Sequence, residues 1–191
     1  MPYRTLNLAF NASGAVEGAR RSDVVVIVDV IDMSTGAEAA LEAGALAIFG
    51  AAASGCKTQV NLNPERIGYL AGKKALKHKT SLIIIAEPRQ GDDQERKKSA
   101  EAVLTGVARS GAEVGLIIPN IGREITKLVD FKEKVALFVT DAGGVAFDAA
   151  YNNGAPAVLT ATVARTPLKK GIEPARAGVL RAIEAATKLN S

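Results

Sequence analysis

Two aspartates stand at the end of the first long apolar run of the chain. Residues 24–30 read Val-Val-Val-Ile-Val-Asp-Val, so Asp29 interrupts an otherwise apolar stretch, and Asp32 follows three residues later. Burying a carboxylate costs free energy unless the group binds a metal ion, a proton or a hydrogen-bond donor. We therefore expect Asp29 to have a function.

Ser34 and Thr35 come next, where a helix should begin. The first turn of a helix offers free backbone N–H groups and the positive end of the helix dipole, which together bind a phosphate or carboxylate. Carboxylates beside such a helix start are what Mg²⁺-assisted phosphoryl transfer requires. Asp29 and Asp32 are thus candidate Mg²⁺ ligands, and Ser34 and Thr35 form a candidate anion site. A second interpretation stays open, because Thr35 and Glu38 also have the spacing of a helix capping box.

A further pair of charged residues follows the apolar run at residues 82–85. Glu87 is a candidate metal ligand or general base, and Arg89 is a candidate clamp for the substrate anion. The alternative is a proline-fixed turn with an exposed ion pair. In a parallel sheet, ligand sites lie at the carboxyl ends of the strands, so convergence of Asp29, Asp32 and Glu87 on one cleft tests the hypothesis.

Polar residues follow two later apolar runs as well. Asp141 and Gly143 come after the run at residues 135–139, and the glycine would let the backbone approach a ligand closely. An ordinary helix N-cap at Asp141 is the alternative. Asn120 follows the run at residues 114–118, and helix capping is the favoured interpretation there.

Several mechanisms lack the residues they need. The chain has one cysteine and one histidine, which excludes an internal disulfide, a cysteine-based zinc cluster and a two-histidine mechanism. Cys56 is interpreted as inert packing, because no histidine lies near it in sequence. The small-residue loop at residues 50–57 lacks the Gly-Lys-Ser/Thr of a P-loop, and neither a dinucleotide fingerprint nor a nucleophile elbow is present.

The elements that would position these residues are strands and helices in alternation. Six apolar runs, most of them continuous, predict strands that are covered on both faces. The runs span residues 24–30, 45–49, 82–85, 114–118, 135–139 and 157–160. We expect the first, third, fourth and fifth to be buried strands of one sheet. The alternation predicts an α/β fold, a three-layer αβα domain with a mainly parallel sheet.

Helices are expected between these strands. Three helical segments end in a Gly-Ala step, at Gly44, Gly111 and Gly154, and glycine is the expected residue just past a helix end. Helix starts are expected at about Thr35, Gln94, Gly143 and Pro174, with the second helix running to about Ser110. No low-complexity linker divides the 191 residues, which predicts one domain over residues 1–191.

Composition and charge exclude several classes of protein. The sequence is 48% hydrophobic and only 4% aromatic, so it can build a core but lacks the aromatic platform of single-strand nucleic-acid binders. A net charge of +4 suits a small anionic substrate, and no nucleic-acid partner is expected. The apolar runs are too short to span a membrane, and the first residues do not resemble a signal peptide. We expect a cytoplasmic protein without a membrane partner; its oligomeric state stays open, a homo-oligomer included.

A family resemblance rests mainly on residues 27–35. They read Ile-Val-Asp-Val-Ile-Asp-Met-Ser-Thr, followed by Ala-Leu and Gly-Ala steps. This stretch resembles the opening motif of the 2-phosphosulfolactate phosphatase family, Val-Ile-Asp-Val-Leu-Arg-Ala-Ser/Thr-Ser/Thr, with Ala-Leu and Asn-Gly-Ala at the same spacing. Fainter similarity lies in the Asn-Leu-Asn-Pro stretch that contains Asn63, in residues 79–85 and in residues 113–122.

The resemblance implies an α/β fold and a Mg²⁺-dependent acid phosphatase that hydrolyses a phosphorylated sulfo-acid in coenzyme M synthesis. The site residues that it carries over are Asp29, Ser34, Thr35 and Asn63. The chain departs from the family pattern at Asp32, where the family has arginine, and at residues 84–91, where the family has a Thr-Thr-Asn-Gly-Thr-Arg loop.

Two functions of different classes follow. One is a Mg²⁺-dependent phosphate-ester hydrolase for a small phosphorylated or otherwise anionic molecule, in which Asp29, with Asp32 or Glu87, holds the cation. The other is a non-catalytic binding or assembly protein that kept the fold and lost the phosphatase site. The missing family arginine favours the second function, whereas the strand-end Asp29 beside Ser34 and Thr35 favours the first.

Overall fold

The computed structural model describes residues 7–29 and 32–161, and all structural statements below refer to these residues. The helices are α1 (Asn11–Arg20), α2 (Met33–Glu42), α3 (Pro64–Lys77), α4 (Asp93–Ser99), α5 (Glu101–Ser110), a 3₁₀ helix (Gly122–Lys127) and α6 (Gly143–Asn152). The strands are β1 (Val25–Val28), β2 (Ala47–Ala52), β3 (Leu82–Ala86), β4 (Val114–Pro119), β5 (Val135–Thr140) and β6 (Val158–Ala161). The helix expected from Pro174 lies outside the described residues.

The strands form two parallel sheets. One has four strands in the order β2-β5-β3-β4, and in the other β1 pairs with β6, from Val25 opposite Val158 to Val28 opposite Ala161. Every pairing is parallel, and helices alternate with the strands along the chain. The predicted α/β class is therefore confirmed. The prediction that the run at residues 24–30 joins the main sheet is wrong.

The separation of the two sheets has a packing reason. α6 lies against β2, and the backbone of Gly144 approaches that of Ala51 so closely that a methyl group on Gly144 would overlap it. α6 thereby covers the edge of β2, and β1 packs on α6 and α1 instead. Within the described residues, only Ile27 of β1 is buried.

The main core lies on both faces of the four-stranded sheet. α3 and α5 pack on one face, against alternate residues of β3 and β5 such as Ile84 and Leu137. α2 and the 3₁₀ helix pack on the other face, against the intervening residues such as Ile85 and Phe138. β3 and β5 are buried along their whole length, which confirms how their continuous apolar runs were interpreted and gives the three-layer arrangement.

β4 departs from the expectation of a fully buried strand. It lies at the edge of the sheet, paired with β3, and its residues Gly115 and Leu116 are exposed. The sequence of an apolar edge strand resembles that of a central strand, because composition does not indicate whether a strand has a neighbour on both sides. The expected burial of residues 114–118 is therefore wrong, although the strand itself is present.

Helix ends follow the expected chemistry more closely than helix starts. Gly44, Gly111 and Gly154 all have positive φ, at 91°, 82° and 94°, as residues that end a helix in the left-handed conformation do. α6 begins at Gly143 as expected, whereas α2 begins at Met33 rather than Thr35. The helix expected from Gln94 to Ser110 is two helices, α4 and α5, divided at Ala100. No helix among the described residues is long and apolar enough to cross a lipid bilayer.

Leu137→Ala should lower the free energy of unfolding by about 2–5 kcal/mol, because it leaves a cavity between the fully buried strand β5 and the helices that pack on it. Leu116→Ala, at a side chain that is 49% exposed, should cost about 1 kcal/mol or less. Urea denaturation of both variants measures the difference. Equal losses would contradict the assignment of β5 to the centre of the sheet and β4 to its edge.

Candidate functional site

Four carboxylates gather at one end of the strands. Asp29 follows β1, Glu87 follows β3, Asp141 follows β5, and Asp32 precedes α2. The Asp141 N–H donates to Glu87 Oε2 at 2.9 Å, and the Gly143 N–H donates to Asp29 Oδ2 at 3.1 Å. The negative charges of Asp141, Asp29 and Asp32 all act on Glu87. The predicted convergence of acidic residues from separate elements is therefore present, and Asn63 stands apart from it.

Asp29 is buried, and its carboxylate lies at the N-terminus of α6. There it meets a free backbone N–H group and the positive end of the helix dipole. Gly143 supplies the N–H, and a methyl group on Gly143 would collide with the Asp29 carboxylate and with the Met33 sulfur. The Gly143 backbone thus approaches the Asp29 side chain closely, and this contact joins the two-stranded sheet to α6.

Ser34 is only 1% exposed, and its hydroxyl forms two contacts within the fold. Ser34 Oγ accepts a hydrogen bond from the Asp29 N–H at 3.1 Å and lies 2.7 Å from Thr160 Oγ1, where either hydroxyl can donate. The first turn of α2 is thereby tied to the ends of both β1 and β6. The role of Ser34 in substrate binding remains a prediction, and its hydroxyl has a clear structural role.

Asp32 immediately precedes α2 and has an unusual backbone conformation, with φ of 84°. Its side chain does not cap the helix; Asp32 Oδ2 accepts from Arg89 Nη1 at 3.1 Å. The pair is partly open to solvent, at 26% exposure for Asp32 and 57% for Arg89. Thr35 lies inside the first turn, so the capping box proposed for Thr35 and Glu38 is wrong. Asp32 therefore binds an arginine supplied by the β3–α4 loop.

The pKa of the Glu87 carboxyl is raised. Burial is the largest cause, and the charges of Asp141, Asp29 and Asp32 add to it, while the hydrogen bond from the Asp141 N–H opposes it. A carboxyl group with a raised pKa in a cluster of carboxylates can take up and release a proton closer to neutral pH than an ordinary glutamate. Glu87 is therefore suited to general acid–base work.

Thr140 and Asp148 have structural roles at α6 that the sequence did not reveal. Asp141 is not the N-cap of α6; Thr140 Oγ1 accepts from the Gly144 N–H at 2.8 Å instead. Asp148 is fully buried and accepts from the backbone N–H groups of Asn63 and Ala52, at 2.7 and 3.3 Å. The burial of Asp148 raises its pKa, and its hydrogen bonds offset part of that rise. In the sequence, the buried role of Asp148 was signalled only by its position as the single charged residue of the α6 segment.

Asn63 caps α3, since its side-chain oxygen accepts from the Arg66 N–H at 2.9 Å. Its own N–H binds Asp148, so its hydrogen bonds connect α3 to α6 rather than to the carboxylate cluster. The structure thus brings together Asp29, Asp32, Glu87, Asp141, Arg89 and Gly143, with Ser34 and Thr35 in the adjoining helix turn. Asn63 belongs to a different corner of the molecule.

An open groove of about 400 Å³ lies beside the carboxyl end of β2. Its lining includes Ser54, Cys56, Leu62, Glu101 and Thr105, and none of the predicted site residues. Burial raises the pKa of the Cys56 thiol, and the charges of Asp141 and Asp148 raise it further. A raised pKa disfavours the thiolate, which agrees with the interpretation of Cys56 as unreactive.

The donor chemistry of the cluster suits a hard cation. Mg²⁺ in proteins takes one or two carboxylates and fills its other positions with water and substrate oxygens. Among the described residues, no group of three or more histidine, cysteine or acidic side chains is arranged to hold a metal ion. Asp29 Oδ2 accepts from the Gly143 N–H, and Asp32 Oδ2 accepts from Arg89, so both carboxylates have contacts within the protein.

Comparisons with protein-family models, with curated proteins and with solved structures find no match to this chain. The resemblance to the 2-phosphosulfolactate phosphatase family therefore rests on the quoted motifs. Parallel α/β folds support many unrelated activities, so the fold does not supply a function. The function has to be argued from the carboxylate cluster and its surroundings.

Ser34→Ala should destabilise the protein by about 1–3 kcal/mol, because it leaves the buried Asp29 N–H without its acceptor. Ser13→Ala, an exposed helical serine in α1, should change stability by about 0.5 kcal/mol or less. Thermal and urea unfolding measure both. A loss at Ser34 as small as that at Ser13 would show that the hydroxyl does not hold the β1 end in place.

Glu87→Gln should stabilise the protein relative to the wild type at neutral pH. The folded pKa of Glu87 is raised, so the folded state binds its proton more tightly than the unfolded chain. Its contribution to stability is therefore complete below the ordinary glutamate pKa and is lost as pH rises through the raised value.

The gap between Glu87→Gln and the wild type should accordingly narrow between about pH 7 and about pH 4, measured by urea unfolding at each pH. Glu113→Gln, at an exposed residue before β4, is the control and should show no such trend. A gap that is independent of pH would contradict the raised pKa of Glu87.

Proposed function

We propose that this protein is a Mg²⁺-dependent phosphate-ester hydrolase acting on a small anionic substrate. The observation that carries the proposal is the gathering of acids at one end of the strands: Asp29 and Asp32 from the β1–α2 connection, Glu87 after β3 and Asp141 after β5. The negative charges of the other three act on Glu87, and folding keeps the four acids together at a cost in free energy. A site for a cation and a phosphoryl group gives that cost a function.

Arg89 and the start of α2 are the groups that would hold the phosphate. The guanidinium of Arg89 offers paired donors that match phosphate oxygens, and it is exposed enough to turn toward a ligand. Thr35 lies in the first turn of α2, where backbone N–H groups favour an anion. Arg89 has to exchange its bond with Asp32 for one with the substrate.

Asp29 and Asp32 are the residues that would hold Mg²⁺, with Glu87 adjacent. When bound, the ion would neutralise charge on the phosphoryl oxygens and make the phosphorus atom more open to attack by water. A cation bound to Asp32 would replace Arg89 as its partner and free Arg89 to bind the phosphate. Without a cation, Arg89 stays bound to Asp32, as in this structure.

Glu87 is assigned the proton transfer. Its raised pKa lets it accept a proton from an attacking water molecule and return it to the leaving oxygen. The Asp141 N–H donates to Oε2 and thereby holds the orientation of the carboxyl. Asp141 is therefore a positioning residue as well as a source of negative charge.

The substrate class and the compartment belong to the same proposal. A basic chain with a confined acidic cluster suits a small phosphorylated molecule that arrives with its own cation, rather than a nucleic acid. The free thiol of Cys56 suits a reducing compartment, and we place the activity in the cytoplasm.

A second candidate is a non-catalytic binding or assembly protein. It is favoured by the structural engagement of two predicted site residues: Asp29 holds the α6 N-terminus, and Ser34 joins α2 to β1 and β6. In that case the carboxylate edge stabilises the link between the two sheets and performs no chemistry. The two candidates make opposite predictions about Mg²⁺.

For the hydrolase, a screen of phosphomonoesters should find hydrolysis that requires Mg²⁺, and Glu87→Gln should lower kcat by about 10²- to 10⁴-fold. Mg²⁺ should raise the Tm of the wild type, because a ligand of the folded state stabilises it by mass action. Asp29→Asn, which keeps an acceptor for the Gly143 N–H, should reduce that rise and abolish activity.

Asp130→Asn is the matched control, since Asp130 is an exposed aspartate that precedes β5 at the other end of the sheet. It should leave the Mg²⁺ response and the activity unchanged. Asp148 is unsuitable as a control, because it is buried and its carboxylate holds Asn63 and Ala52. If Mg²⁺ changes the Tm of neither protein and no phosphomonoester is hydrolysed, the non-catalytic function replaces the hydrolase.

A further inference from the structure

Asn120 is buried beside the carboxylate cluster, and the roles assigned above do not use it. It follows β4, its side chain is only 1% exposed, and its N–H donates to the Ala86 carbonyl at 3.2 Å. Ala86 directly precedes Glu87, so the end of β4 lies next to the residue assigned to proton transfer. The capping role expected for Asn120 is absent, because Ile121 stands at the N-cap of the 3₁₀ helix and no side chain caps it.

Both polar atoms of the Asn120 side chain are buried without a hydrogen-bond partner in the described part of the chain. A primary amide has two donor hydrogens and an acceptor oxygen, and burying them unpaired is costly. Groups of this kind are rare in folded proteins and call for a specific explanation. Leucine has a similar volume and would avoid the cost, so the amide is expensive to keep for packing alone.

The loop that begins at Asn120 also reaches Asp32. Two residues further on, Gly122 has a positive φ of 66°, and a methyl group built on it would lie 3.2 Å from Asp32 Oδ1. The same glycine packs against the first turn of α2, since its carbonyl oxygen would lie 3.4 Å from a methyl group on Gly36. The segment from Asn120 to Gly122 therefore runs from the Glu87 side of the cluster to the Asp32 side.

We propose that Asn120 is a specificity-determining residue of this site, which recognises an oxyanion that carries a proton. The proposal rests on the proposed function and names the ligand chemistry of the same site. Its Nδ2 donates to one oxygen of the ligand, and its Oδ1 accepts from a hydroxyl of the same group. Hydrogen phosphate and singly protonated phosphate esters present both features, whereas sulfate at neutral pH presents acceptors only.

The charges around Asn120 also favour a ligand that carries a proton. A neutral amide adds no positive charge, and the neighbouring carboxylates of Glu87 and Asp32 repel an oxyanion that has no proton to donate. Arg89 is bound to Asp32 and is 57% exposed, and the proposal requires it to move aside so that the ligand reaches Asn120. The site is thus expected to select phosphate over sulfate by hydrogen bonding and not by net charge.

The test is calorimetric titration with inorganic phosphate and with sulfate, each in the presence of Mg²⁺ at neutral pH. The wild type should bind phosphate at least about tenfold more tightly than sulfate. Asn120→Leu should lose that preference and should melt at or above the wild-type temperature without ligand, because unpaired buried polar atoms have been removed. Asn153→Ala, which removes an amide bound to the Ala149 carbonyl at the α6 end, should keep the preference.

A preference that persists in Asn120→Leu overturns the proposal, as does a wild type that binds the two anions equally. If Asn120→Leu fails to fold, Asn120→Ala replaces it, and failure of both variants overturns the proposal by showing that the amide holds the fold. If the wild type hydrolyses phosphomonoesters and Asn120→Leu still prefers phosphate to sulfate, only this inference is overturned. If the phosphate preference depends on Asn120 but no phosphomonoester is hydrolysed, only the hydrolase proposal is overturned.

Discussion

The contact between the Asp29 carboxylate and the Gly143 N–H joins the two halves of the described structure. Asp29 ends β1 in the small sheet, and Gly143 begins α6, the helix that covers the edge of the large sheet. A carboxylate at a helix N-terminus is stabilised by the free N–H groups and the dipole, which offsets part of its desolvation. The bond from the Asp29 N–H to Ser34 extends the connection into α2. Asp29 therefore links β1, α2 and α6 through hydrogen bonds, in addition to the apolar packing of β1 on α6 and α1.

The same contact places Asp29 where its negative charge acts on other acids. With Asp29 fixed, the parallel arrangement brings the ends of β3 and β5 close by, and each ends in an acid, Glu87 or Asp141. Arg89 offsets the charge of Asp32, and two backbone N–H groups offset part of the rest. The remaining repulsion, added to burial, is carried by Glu87 as a raised pKa. The contact that joins β1 to α6 and the raised pKa of Glu87 thus follow from one arrangement.

The sequence predicted what depends on local composition and missed what depends on neighbours. The burial of β3 and β5 and the left-handed helix ends at Gly44, Gly111 and Gly154 follow from continuous apolar runs and from the properties of glycine. The exposed edge at β4 and the separate pairing of β1 depend on which elements pack beside each strand, and apolar runs do not encode that. For the site, strand-end acids signalled Asp29, Glu87 and Asp141, whereas the pairing of Asp32 with Arg89 and the burial of Asp148 and Asn120 required the fold.

The pairing of β1 with β6 has a consequence for the order of assembly. Val25 lies opposite Val158, so the partner of β1 is the last strand of the described chain, while the four strands of the large sheet all lie between them. On a ribosome the large sheet can form while β1 still lacks its partner, and contacts between residues so distant in sequence form slowly. The end of β1, and therefore Asp29, reaches its final position only after nearly all of the described chain has been synthesised. A partly made chain can thus acquire its core well before it acquires its acidic edge.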